Sequence, residues 1–292
     1  MEDRIIAYGG QAVLEGVLMR GQRALAIAMR APDGQIKVHT EKLSAIYQSR
    51  VARIPFLRGT ILLWDAVVLG MKALTLSANT QTGEEQKLEG PLLYGTMAIS
   101  LTISLGGFFL FPYAVGLVGQ WLGLNSWLSL VLEGLSRLLL IIGYLWLIAK
   151  MQYVERLFQY HGAEHKTINA FEAGAELTPE KVAEFPLEHP RCGTSFMLTV
   201  AVLSIIVFSL LHGLPIVWQI VGRILLIPVL AGISLEYIRW VANHLAWRWV
   251  RWLIQPNLAL QKLTTRQPDL SMLEVSIRSF NEMRAAEHAQ VV

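Results

Sequence analysis

The sequence predicts a mainly α-helical membrane protein: four transmembrane helices in two hairpins, interfacial amphipathic helices, and a small cytoplasmic α+β part with a β-hairpin. Three observations carry this. Of 292 residues, 53% are hydrophobic and 16% charged, against about 25% charged in a soluble domain, and mean hydropathy is +0.44. No Asp, Glu, Lys or Arg lies between Glu89 and Glu133 or between Arg191 and Arg223, gaps too long for core strands or buried helices. The basic residues collect outside these gaps, eleven in 1–90, five in 150–192 and seven after Leu235. A net charge of +3 is too small and too scattered to argue for nucleic acid.

Residues 1–90 read as a cytoplasmic segment. MEDRIIAYGG has neither the basic start nor the apolar run of a signal peptide, so entry into the membrane is expected through internal spans. The glycine-punctuated GGQAVLEGVLMRG reads either as a turn–helix–turn pinned on the membrane domain or as part of a site. Residues 24–30 and 35–40 alternate around Pro32-Asp33-Gly34, a hairpin signal. From Pro55 to Ser77 the chain is helical and apolar, but Arg58, Asp65 and Lys72 recur at seven-residue intervals, which suggests an interfacial helix rather than a span.

Spans are predicted at 92–117 and 127–149, forming a hairpin within 91–150. Glu133 and Arg137 stand i,i+4 in the second and can partly neutralise each other. A polar segment, 151–193, separates this hairpin from a second, 194–236, with spans at 194–214 and 216–235. Arg223 lies in the last span, where it either snorkels or faces a neighbouring helix. The tail, 237–292, begins with an interfacial helix of interleaved Trp and Arg. It ends in a docked helix, with Ser271 and Glu274 in capping-box spacing and Leu273, Ile277 and Phe280 on one stripe. The Lys and Arg bias places the N-terminus, the central segment and the C-terminus on the cytoplasmic side of the inner membrane.

The chemistry concentrates in YHGAEHK. On a helix, His161 and His165 lie one turn apart on one side, the geometry two imidazoles need to hold a divalent metal. Glu164 stands beside them as a possible general base, and H-x-x-E-H has the form of the inverzincin pattern. Glu172, roughly 10 Å further along the helix, is too distant to share the ion. Further ligands are better sought in His189-Pro190-Arg191-Cys192. All four donors would make a closed structural site, whereas three plus water would leave an open, catalytic position. Alternatively, the histidines are hydrogen-bonded interfacial residues and Cys192, the single cysteine, is an inert buried one. Glu15 could bring a carboxylate to the same site, and Arg20 could hold an anionic group.

The segments GGQAVLEGVLMRG, IPFLRG, YHGAEHKTINAFE, HPRCGTSF, PVLAGISLEYIR and LTTRQPDLSMLEVSI together resemble the YqhQ-like family. These are bacterial and plastid-associated membrane proteins of unknown function, commonly labelled metal-dependent enzymes. The resemblance spans nearly the whole chain. It implies a site of Glu15 and Arg20 with His161, Glu164, His165, His189, Arg191 and Cys192. The resulting expectation is a divalent-metal hydrolase, zinc by expectation, at the cytoplasmic membrane face. His161, His165, His189 and Cys192 would supply ligands, Glu164 would activate water, and Arg20 or Arg191 would hold an anionic group of a lipid or membrane-protein substrate. The alternative is a scaffold or assembly factor that forms homo-oligomers or binds membrane-protein partners. A transporter fits least well, because no midplane coupling site is evident.

Overall fold

The computed structural model describes residues 8–44, 47, 54–82, 90–211 and 213–289. The first seven residues, part of the stretch without a signal-peptide pattern, lie outside them. A four-stranded antiparallel meander opens the chain: β1 (Gly9–Val13), β2 (Gly16–Arg20), β3 (Ala24–Arg30) and β4 (Ile36–Lys42), in the order β1-β2-β3-β4. The hairpin expected around Pro32 is β3–β4, with Arg30 paired to Ile36. The glycine-rich segment is not a turn–helix–turn but a second hairpin, with Gly9 paired to Arg20 and Val13 to Gly16. Its two-residue turn places Glu15, the second central residue, at φ +52°, in the left-handed region that a type II turn requires there.

The two central strands, β2 and β3, are covered on both sides, and so they are apolar on both faces. Val17, Met19, Ala26 and Ala28 pack against α5 (Gln152–Glu172) and α12 (Leu270–His288). Val13, Leu18, Leu25, Ile27 and Met29 pack on the other face with Ala73, Leu69 and Leu76 of α1 (Leu57–Thr82). The tail helix docks as expected through Leu273, Ile277 and Phe280. Its N-cap, however, is Asp269, which accepts from Met272 N at 2.9 Å. Ser271 donates to Asp269 instead, and Glu274 pairs with Arg30.

The apolar part consists of α2 (Gly90–Leu105), a π-helical turn (Gly106–Leu110), α3 (Phe111–Trp121), α4 (Ser126–Ile148), α7 (Gly193–Ser209), α8 (Ile216–Leu225) and α9 (Ile227–Asn243). Among the described residues, three helical segments are long and apolar enough to cross a membrane: 57–82, 93–121 and 126–148. The bent pair α8–α9 makes a fourth if it counts as one span. The first two predicted spans thus correspond to long helices. The third is a 17-residue helix, shorter than a full span. The fourth bends by 43° between α8 and α9, where Pro228, in the first turn of α9, removes a helical donor and crowds the preceding turn. The helix over 57–82, expected at the interface, has the length and composition of a span. At its start Arg58 makes a two-pronged ion pair with Glu236 of α9.

The predicted Trp/Arg helix is likewise broken. α9 stops at Asn243, and α10 (Arg248–Leu253) and α11 (Gln255–Thr264) follow. His244 stacks on Trp240 at the break. Together α5, the N-terminus of α7 and the C-terminus of α11 position the residues described next.

Candidate metal centre

α5 follows α4 after a three-residue break. His161 and His165 meet on it at 4.4 Å between ring centroids. Each ring is fixed by a backbone carbonyl. His161 Nδ1 lies 2.8 Å from Thr264 O, at the end of α11. His165 Nδ1 lies 2.5 Å from Leu187 O. With both Nδ1 atoms as donors, both Nε2 atoms carry lone pairs, the tautomer a metal requires.

Cys192 approaches from the segment after α6 (Pro179–Val182), and its Sγ lies 3.2 Å from His161 Nε2. It is the N-cap of α7 and accepts from Thr194 N at 3.4 Å, a position where a helix favours negative charge. Ligand atoms of His161, His165 and Cys192 all lie within 4.8 Å of one another. Among the described residues, the buried His165 Nε2 has no hydrogen-bond partner. An uncompensated buried nitrogen beside a thiol and a second imidazole gives a donor set that could hold a metal ion.

Glu164 is buried, with Oε2 4.0 Å from His161 Nε2. Burial pushes its carboxyl above the usual range, and neither His161 nor the Gly10 N–H donating to it offsets this. Gly10 is needed there, because a Cβ would lie 2.9 Å from Glu164 Cγ and 2.4 Å from Leu18 O.

The remaining candidates lie elsewhere. His189 is buried beside His165, at 5.8 Å between rings, and its Nε2 likewise has no hydrogen-bond partner among the described residues, but it is directed to Glu172 Oε2 at 3.6 Å, its Nδ1 accepts from Arg191 N, and it is not among the donors that converge with Cys192. It therefore lies outside the three-donor group. Burial holds its imidazole below the ordinary value. Arg191 forms an ion pair with Glu172. Glu15 is taken by Arg156 at 2.5 Å and by the Tyr160 hydroxyl at 3.3 Å. Arg20 lies with its guanidinium 5.1 Å from the Tyr47 ring centroid, on the α1 side of the sheet, whereas Glu164 meets the opposite face at Gly10.

Sequence reasoning missed the supports. Gln261 is fully buried; its amide donates to His189 O and Ser195 Oγ, and its oxygen accepts from His189 N. It thereby anchors the segment that carries Cys192. Gly162 lets the chain at Arg266 cross against α5, where Arg266 N donates to Phe158 O. Only the conjunction of HGAEH with the LTTRQ segment hinted at this, because the groups that orient the imidazoles are main-chain carbonyls.

The family model described as "Protein of unknown function (DUF1385)" matches residues 54–286. The chain is 34% identical over 302 residues to the uncharacterized protein YqhQ of Bacillus subtilis, an alignment covering 96% of this chain and 93% of that one. No solved structure matches the chain.

Proposed function

The chain belongs to the DUF1385 family, and from that membership and the geometry above we propose that it is a multi-pass inner-membrane metalloprotein. Its divalent metal, zinc by donor chemistry, is held by His161, His165 and Cys192. The carrying observation is the buried His165 Nε2, left without a partner beside a second imidazole and a thiol. Two nitrogens and one sulfur are a common zinc donor set, and three protein donors leave one position open. Bound there, the ion would supply Lewis-acid chemistry for hydrolysis. Glu164, whose raised affinity for a proton comes from burial, would accept at Oε2 the proton of the attacking water and return it to the leaving group.

The group lies at the N-terminus of the apolar helix α7, beside the end of α4. This supports a site at the membrane surface, on the cytoplasmic side by the Lys and Arg bias, and a lipid or membrane-protein substrate. Burial of His165, Cys192 and Glu164 favours a second reading, in which Glu164 closes the shell and the metal braces a scaffold that binds partner subunits. Metal analysis of the purified chain tests the common core. One equivalent of metal is expected in the wild type, lost in His161→Ala, His165→Ala and Cys192→Ala and retained in His189→Ala. A metal-free wild type, or loss only in His189→Ala, would refute it.

A further inference from the structure

A second group of charges, unused by the proposed chemistry, lies inside the apolar bundle. Glu133 and Arg137 of α4 and Arg223 of α8 are each no more than 4% exposed. Arg137 donates to one oxygen of Glu133 at 2.9 Å and Arg223 to the other at 2.8 Å. Two guanidiniums sharing one carboxylate leave one positive charge uncompensated, which is costly away from water.

The two arginines are not equally satisfied. Arg137 also donates to Ser204 Oγ at 2.5 Å and to Phe108 O at 3.3 Å. Arg223 has, besides Glu133, a 3.3 Å contact to Gln219 O in its own helix and the face of Tyr113 at 4.0 Å. Its Nε is buried with no partner among the described residues. Next to it lies a cavity of about 10 Å³ lined by Tyr113, Gln120, Ser129, Glu133, Gln219 and Arg223, among others. The Ser129 hydroxyl, also buried, has no partner either. Two residues that each carry a buried donor without a partner among the described residues thus line a space for one small particle, next to an excess positive charge.

We infer that this cavity binds one small monovalent anion of halide size, which accepts from Arg223 Nε and Ser129 Oγ and neutralises the surplus guanidinium. A water would satisfy the donors but not the charge. A phosphate or lipid headgroup exceeds the space. Glu133 repels the ion, but its single negative charge is outweighed by the two guanidiniums, which leave the group with a net charge of +1.

The test uses the full-length protein in detergent, with sodium chloride or bromide replacing sodium gluconate at constant ionic strength. Chloride and bromide should raise the Tm saturably, whereas gluconate, too large for the cavity, should not. Ser129→Ala keeps all three charges and should weaken the apparent halide affinity about tenfold. Glu133→Gln, with two uncompensated guanidiniums, should bind halide about tenfold more tightly than the wild type. Crystals grown with bromide should show an anomalous peak within hydrogen-bond reach of Arg223 Nε. A Tm indifferent to halide in both the wild type and Glu133→Gln would overturn the inference. So would a Ser129→Ala response equal to that of the wild type, or bromide-grown crystals without the peak.

Discussion

Replacing Gly162 by alanine puts a methyl group where the backbone of another segment already lies. An ideal Cβ at that position meets Arg266 O at 2.2 Å and Leu187 Cδ2 at 2.8 Å. The first contact is with main chain held by the hydrogen bond from Arg266 N to Phe158 O at 2.9 Å, so it cannot be relieved by a rotamer change. Overpacking of this kind costs about 1–3 kcal/mol, and alanine's better helix propensity returns about 1 kcal/mol. The net expectation is a loss of up to about 2 kcal/mol. The displaced neighbours also matter to the site. Thr264, two residues before Arg266, orients His161, and Leu187 orients His165. Disturbing such supporting hydrogen bonds typically lowers metal affinity about 10–100-fold. Gly162→Ala should therefore lower the Tm and weaken zinc affinity in a chelator competition by that factor. Gly143→Ala, whose Cβ meets nothing within 4 Å, should leave the affinity unchanged. Unaltered zinc affinity in Gly162→Ala would refute the claim that these carbonyls position the ligands.

Other outcomes follow from the same structure. Glu164→Gln should keep the metal and abolish any hydrolytic activity if the carboxylate handles a proton; metal loss measured by elemental analysis would instead identify it as a ligand. Glu133→Leu leaves two buried guanidiniums without their carboxylate and should destabilise the protein by about 3–5 kcal/mol, read by unfolding in low-halide buffer. Burial pushes the Asp269 carboxyl up, but the Ser271 hydroxyl and the Met272 and Ser271 N–H groups outweigh it and hold it below the usual range. A depressed folded value means that its contribution is present above the unfolded pKa of about 3.9 and lost as pH falls through the folded one. Asp269→Ala should thus cost about 1 kcal/mol at neutral pH, with the difference from wild type shrinking below pH 4 in Tm measurements.

What the sequence disclosed was what is local. The turn spacing of His161 and His165 needs only a helix, and the charge-free stretches need only composition. The β1–β2 hairpin escaped because Val17, Leu18 and Met19 are all buried, between α12 on one face and α1 on the other. A strand covered on both sides shows no alternation. The charges of the helix over 57–82 suggested an interface, whereas Arg58 is neutralised by Glu236, a partner 178 residues away. That Cys192 rather than His189 converges on the two imidazoles depends on Gln261 and Glu172, contacts that spacing within HPRC cannot encode.

The central claim, a metal on His161, His165 and Cys192, is tested most directly by zinc-edge X-ray absorption on the purified chain. The account predicts one zinc per chain with two nitrogens at about 2.0–2.1 Å and one sulfur at about 2.3 Å. Cys192→Ala should retain no stoichiometric zinc, and with it the zinc–sulfur shell is lost. A protein without stoichiometric metal, or a shell of nitrogen and oxygen alone, would contradict it.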